Sequence, residues 1–296
     1  MSLSELIAKR GTVLLDGGLA TELERRGHDL DDPLWSAQVL LEHPDAIVDV
    51  HRDYLRAGAD VITIATYQAT YDGFARRGLD RDEATRIFGT AVDLARRARE
   101  EADREDALVV ASIGPYGAFL ADGSEYRGDY GLSVDALVDF HGPRLDVLAP
   151  LCDAIACETI PCLAEAQALA RLLPGLDAWV SFSCRDETSV AHGEPLHACI
   201  DALPMVTAVG VNCVAPAITT ELLRTAARAT AKPLVAYPNS GESYAGRWHG
   251  HGLLPDAFAA LASEWSEAGA RLIGGCCRTT ADHIRALADW RARNMA

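Results

Sequence analysis

Short runs of continuous apolar residues alternate along this chain with longer stretches in which apolar residues recur every three or four positions. The runs are TVLLDGG (12–18), VITIATY (61–67), LVVASIGP (108–115), AIACET (154–159), AWVSFSC (178–184), AVGVNC (208–213), PLVAYPNSG (233–241) and LIGGCC (272–277). Runs rich in Val and Ile, without polar alternation, are how strands buried on both faces of a parallel sheet read. Between them, the segment 80–104 places Ala84, Ile87, Phe88, Ala91, Leu94, Ala95 and Ala98 on one helical face. Asp80 with Glu83 gives a capping-box signal at its start. Segments 133–149, 161–173, 215–230, 254–268 and 279–293 read as helices in the same way, with a shorter one at 194–203. Thr279 with Asp282 marks the start of the last.

Eight strand–helix pairs without a break in composition predict an α/β fold, a single (β/α)8 TIM barrel over residues 1–296. A doubly wound open sheet is the alternative. Longer connections at 19–44, 116–132 and 241–253 are candidate lids, and the first and last carry Trp35 and Trp248.

Charge narrows the choice of partner. The 296 residues carry 27 basic and 43 acidic groups, a net charge of −16, which argues against a nucleic acid or an anionic membrane. No run of 18 apolar residues is present, so no membrane span is expected. The N-terminal stretch lacks a basic segment followed by an apolar one, so no secretory signal is expected either. Eight cysteines then read as thiols in a reducing compartment, and the expected location is the cytoplasm.

In a barrel, chemistry collects at the C-terminal ends of the strands. There the sequence places Asp16-Gly17-Gly18, Thr66-Tyr67-Gln68, Cys157-Glu158-Thr159, Asn212-Cys213, Tyr237-Pro238-Asn239 and Gly275-Cys276-Cys277. The vicinal pair Cys276-Cys277 is poorly suited to a disulfide, because neighbouring Cα atoms are about 3.8 Å apart and a disulfide prefers about 4.4–6.8 Å. Gly274 and Gly275 are read as letting the backbone bend there. Position alone leaves two readings open for Cys213, Cys276 and Cys277: buried core thiols, or three ligands of a zinc ion with one open position. The other five cysteines read as core. Three thiolates favour a soft fourth donor, and a substrate thiol held there would be a nucleophile toward a methyl on a sulfonium or quaternary ammonium. Water in that position would instead give hydrolysis.

GVNC (210–213) paired with GGCC (274–277) in a barrel resembles the homocysteine S-methyltransferase family. DGGLATELERRG (16–27), TYQAT (66–70), GPYGAFLADGSEYRGDY (114–130), ACETIP (156–161), YPNSGE (237–242) and ARLIGGCCRTT (270–280) match as well, most closely the bacterial and plant branch that uses S-methylmethionine. The resemblance implies that Cys213, Cys276 and Cys277 hold Zn2+ and that L-homocysteine completes the coordination. A methyl group then passes from S-methylmethionine or S-adenosylmethionine to the homocysteine thiolate, forming methionine. It implies that Asp16 and Glu158 bind the homocysteine amine. Gly17 and Gly18 are expected beside the amino-acid carboxylate, and Asn212 beside a ligand or the substrate. Trp35, Tyr67 and Tyr237 are candidate partners of a sulfonium through cation–π attraction.

One departure concerns strand two. Where relatives carry a Thr two residues before the Ser/Thr-Tyr-Gln motif, this chain has Ile64, preceded by Thr63, and Thr66 is the expected substitute. His249 and His251, in a Gly-rich loop, read as surface residues. Betaine as donor, a selenol as acceptor, a zinc hydrolase and a non-catalytic zinc barrel remain as alternatives, and the expected assembly is a monomer or homodimer.

Overall fold

The structure, a computed structural model, describes residues 1–30, 36–244 and 248–294. Eight parallel strands form one sheet: β1 (Val13–Leu14), β2 (Val61–Thr63), β3 (Leu108–Ile113), β4 (Ala154–Ile160), β5 (Ala178–Phe182), β6 (Ala208–Asn212), β7 (Leu234–Tyr237) and β8 (Ala270–Ile273). Their order runs β1-β8-β7-β6-β5-β4-β3-β2, with helices between successive strands, so the closed barrel holds and the open sheet does not. Every apolar run overlaps a strand, and all but 154–159 overshoot it at the C-terminal end. The polar tails of the runs leave the ladder at the rim, where they line a cavity instead of pairing.

The helices follow the same logic. Helix Arg81–Glu101 is opened by Asp80, whose side chain accepts from the Glu83 N–H while Glu83 accepts from the Asp80 N–H. That reciprocal pair satisfies two donors that the first turn otherwise leaves open. No helix among the described residues is long and apolar enough to cross a membrane. The segment 254–268 divides into Pro255–Ala260 and Ala262–Glu267. The start of the last helix, Ala281–Asn294, is also displaced from the sequence signal. Thr280 and His283 bond each other there, whereas Thr279 turns its hydroxyl to the Cys276 carbonyl at 2.7 Å.

Two apolar layers hold the barrel. Inside it, Val13, Val61, Val110, Trp179, Val235 and Leu272 pack on Leu3 and Leu6 of the N-terminal helix Leu3–Arg10. That helix closes the bottom of the barrel, and the cavity opens at the other end, where the strands terminate. Between strands and helices lies the larger core, which includes Phe74, Phe88, Phe182, Phe258 and Trp265.

Among the described residues, no backbone ladder joins β1 to β2. Carboxylates stitch this seam. The Asp60 N–H donates to the Leu14 carbonyl (2.7 Å) and the Leu14 N–H donates to Asp60 Oδ2 (2.9 Å). Nearer the rim, the Thr63 N–H donates to Asp16 Oδ2 (2.7 Å). Asp60 is 1% exposed and takes guanidinium contacts from Arg10, Arg104 and Arg291, so its buried charge is compensated. Asp60→Ala strands those cations and leaves the Leu14 N–H without its carboxylate acceptor. It is expected to lower the unfolding free energy by about 3–5 kcal/mol in a denaturant titration, and a loss below about 1 kcal/mol would contradict this role for the seam.

Candidate metal and substrate site

β6 and β8 are separated by β7, yet their thiols converge. The segment after β7 makes this possible by bonding both neighbours. The Cys213 N–H donates to the Tyr237 carbonyl (3.3 Å) and the Cys276 N–H to the Pro238 carbonyl (2.9 Å). In return, the Asn239 N–H donates to the Val214 carbonyl (2.9 Å) and the Ser240 N–H to the Cys277 carbonyl (3.0 Å). The Sγ atoms of Cys213, Cys276 and Cys277 all lie within 4.8 Å of one another, with Cys213 and Cys277 at 3.8 Å. The edge of a tetrahedron of thiolates about 2.3 Å from a zinc ion is itself about 3.8 Å. Size and donor set therefore fit a thiophilic metal ion with one position left over. This is the one group of potential metal ligands that converges among the described residues. Exposed His249 and His251 take no part in it.

The bend at the thiols has a different origin from the one read in the sequence. Neither Gly274 nor Gly275 has a left-handed φ; Cys213 (φ 51°) and Arg278 (φ 66°) do. The two glycines are needed for room. A Cβ on Gly275 would stand 2.2 Å from Thr279 Oγ1, and one on Gly274 would stand 2.6 Å from the Leu15 Cβ. Left-handed non-glycine residues are costly and collect at functional sites. Thr159 (φ 62°), after Glu158, is a third. Asn212 accepts from the Thr159 N–H (2.7 Å) and donates to its hydroxyl (2.8 Å). It thus spends its amide on holding the end of β4.

Electrostatics set these thiols apart. Hydrogen bonding among the three thiols holds Cys213 well below the ordinary thiol range and pushes Cys276 and Cys277 well above it, with burial and the charge of Cys213 adding to the rise. Elsewhere burial, with smaller contributions from nearby acidic groups, raises the thiols, Cys162 to about 11 and Cys152 and Cys199 to about 12. All eight cysteines are free.

The thiols open into a cavity of about 830 Å³. Asp16, Gly17, Gly18, Tyr67, Glu158 and Asn212 line it with the three cysteines, as expected. Thr66 does not. It is fully buried and its hydroxyl donates to the Ser112 carbonyl (2.8 Å), because the chain turns inward one residue before Tyr67. The hydroxyl on this strand that reaches the site is that of Thr63, which donates to Asp16 (3.1 Å), while Ile64 contributes an aliphatic wall. The Gly18 N–H is turned to Thr279 Oγ1 (3.3 Å). The Tyr237 hydroxyl is tied to Ser181 (2.5 Å) and to the Trp179 indole N–H (3.2 Å). Trp35 lies outside the described residues.

Several lining residues went unremarked in the sequence. Trp179, fully buried, floors the cavity. Ser112 donates to Glu158. Glu125 and Tyr126 reach the site from a single turn of 3-10 helix, Ser124–Tyr126. The available signal was an acidic residue inside a Gly- and Tyr-rich loop following strand three.

Burial raises Asp16 to about 8, against the hydrogen bonds from Thr63, and Glu158 adds repulsion. Burial raises Glu158 to about 7, opposed by Ser112 and Tyr237, and raises Glu125 to about 7. A raised carboxyl binds its proton more tightly in the fold than in the unfolded chain. Stability is therefore lost as pH rises from about 4 to about 8. Asp16→Asn keeps an acceptor for Thr63 and removes one such group. Its melting temperature in metal-free protein is expected to fall less between pH 5 and pH 8 than that of the parent chain, and an unchanged pH profile would contradict the assignment.

Such a site defines a class of protein: a (β/α)8 barrel whose rim offers three thiols to a metal ion beside carboxylates in want of a cation. A family model described as homocysteine S-methyltransferase matches residues 13–291. The homocysteine S-methyltransferase of Escherichia coli (strain K12) is 49% identical over 300 residues, covering 96% of this chain and 97% of its own length. Homocysteine S-methyltransferase YbgG of Bacillus subtilis (strain 168) is 45% identical over 301 residues, covering 96% and 95%. The crystal structure of the E. coli homocysteine methyltransferase MmuM in its metallated form superposes with a TM-score of 0.87 at 46% identity, covering 99% of both chains. The chain belongs to the homocysteine S-methyltransferase family of enzymes.

Proposed function

We propose that this protein transfers a methyl group from a sulfonium donor, S-methylmethionine or S-adenosylmethionine, to the thiolate of L-homocysteine, with Zn2+ held by Cys213, Cys276 and Cys277. The observation that carries the reading is the pairing of three thiols with two buried carboxylates on one rim. When bound, zinc supplies the positive charge that keeps a substrate thiol deprotonated at neutral pH.

The chain's own residues do the rest. Asp16 and Glu158 take the substrate ammonium, which compensates their buried charge and stabilises both in their ionised form. Ser112 and Tyr237 hold the Glu158 carboxylate, and Thr63 holds that of Asp16. Trp179 closes the floor against water. As the new sulfur–methyl bond forms, the donor's sulfur–methyl bond breaks and its electron pair returns to the donor sulfur, which becomes a neutral thioether. The thiol proton leaves on binding, so no side chain acts as a base during transfer. Free thiols suit a reducing cytoplasm, where we place the reaction.

Cys276→Ser removes one soft ligand and is expected to lose zinc and activity together while the far-ultraviolet spectrum of the barrel persists. A zinc-loaded, active variant would refute the assignment. For Glu158→Gln the expectation is full zinc content with the homocysteine KM raised about tenfold or more, the magnitude of losing one charge-assisted bond. An unchanged KM would remove Glu158 from the amine site.

A further inference from the structure

One substrate cation is accounted for at Asp16 and Glu158, but the proposed reaction brings in a second, the sulfonium. Among the described residues, the cavity lining carries five carboxyl groups, Asp16, Glu24, Asp29, Glu125 and Glu158, with one histidine, His28, and no Lys or Arg. These carboxylates are not equivalent. Both Asp16 and Glu158 already accept hydrogen bonds from the barrel, from Thr63 and Ser112. Glu24 is half exposed and lies 3.6 Å from the Arg278 guanidinium. Glu125 differs, because its Oε2 atom is buried and finds no hydrogen-bond partner. A buried carboxylate oxygen without a partner is a costly arrangement, and it belongs to a residue that lines the cavity, where a ligand can compensate the carboxylate.

The turn that carries Glu125 is fixed in place. The Ser183 hydroxyl donates to the Glu125 carbonyl (2.7 Å). Glu165, fully buried, anchors both ends of the loop by accepting from the Tyr116 N–H (2.7 Å) and from the Tyr130 hydroxyl. Arg144 donates to His141 Nδ1 (2.9 Å), which leaves His141 Nε2 to donate to Glu165 (2.7 Å). This chain of buried bonds sets the position of the loop before any ligand arrives. Tyr126, adjacent in the turn, lines the same cavity as Cys213, so the loop borders the thiol cluster from a wall other than that of Glu158. A displacement at carbon needs its leaving group opposite the attacking sulfur, and therefore a donor subsite distinct from the amine site.

We infer that Glu125 is the donor-binding residue: its carboxylate faces the cationic end of a sulfonium methyl donor, and with the other carboxyl groups of the lining it selects donors of net positive charge over zwitterionic ones such as betaine. This rests on the methyl-transfer reading above and assigns the second subsite. A sulfonium amino acid carries two positive charges and one negative. Betaine carries one of each, and its carboxylate would meet a lining that has no Lys or Arg among the described residues.

The test uses reduced, zinc-loaded enzyme with L-homocysteine and S-methyl-L-methionine. Glu125→Gln is expected to raise the donor KM about tenfold while the homocysteine KM stays within about twofold and zinc content is unchanged. Glu125→Asp, which keeps the charge, is expected to recover most of the loss. A donor KM unchanged in Glu125→Gln overturns the inference, and so does an equal rise in both KM values, which a merely structural role would give. Absence of methyl transfer from the sulfonium by the parent enzyme overturns the methyl-transfer reading, and this inference with it.

Discussion

Negative charges crowded into a small, dry volume repel one another, and the upper rim of this barrel concentrates them. Three thiols lie within 4.8 Å, and Asp16, Glu158 and Glu125 stand in the same cavity with no Lys or Arg among its described lining. Burial raises the carboxyls, and hydrogen bonding among the thiols lowers one and raises the others, with charge repulsion adding to both. Such crowding has a single general remedy, which is positive charge supplied from outside. In the function proposed above, a metal ion answers the thiols and a substrate ammonium answers the carboxylates. The other end of the barrel shows the contrast, for there Asp60 is equally buried but is met by three guanidinium groups of the chain itself. Charge compensated internally contributes to stability. Charge left open is poised for ligands.

Holding such a site open requires the backbone to be fixed by other means. The segment Tyr237-Pro238-Asn239-Ser240 bonds to the Cys213 and the Cys276-Cys277 loops, so two strands that are not neighbours present their thiols together. Asn212 locks Thr159 in a left-handed conformation beside Glu158. Asp16 has a double task, since the same carboxylate that faces the cavity also closes the seam between β1 and β2. Fold and site are thus joined most closely at Asp16, where any change in charge alters both the closure of the barrel and the cavity wall.

The sequence was legible where chemistry follows from chain position. Cys213, Cys276 and Cys277 stand at the ends of apolar runs, and Asp16 and Glu158 at the ends of two more, so a parallel barrel brings them to one rim without further information. What escaped depends on contacts across strands. Thr66 and Thr63 differ by three positions on one short strand end, and where the chain leaves the ladder decides which hydroxyl serves Asp16. Thr279 looked like a helix cap because its spacing to Asp282 was right, but the Cys276 carbonyl and the Gly18 N–H claim its hydroxyl first. The Gly274-Gly275 pair was read as flexible, whereas crowding by Leu15 and Thr279 is what excludes side chains there. Glu125 sits in a loop whose course is set by Glu165 from a distant helix, which no local pattern reveals.

The most direct test of the central claim is X-ray absorption at the zinc edge on the reduced protein, before and after L-homocysteine is added. The account predicts three sulfur neighbours and one lighter atom before addition, and four sulfurs at about 2.3 Å afterwards. A first shell that keeps its lighter atom in saturating homocysteine, or a folded, reduced protein that takes up no zinc, would contradict it.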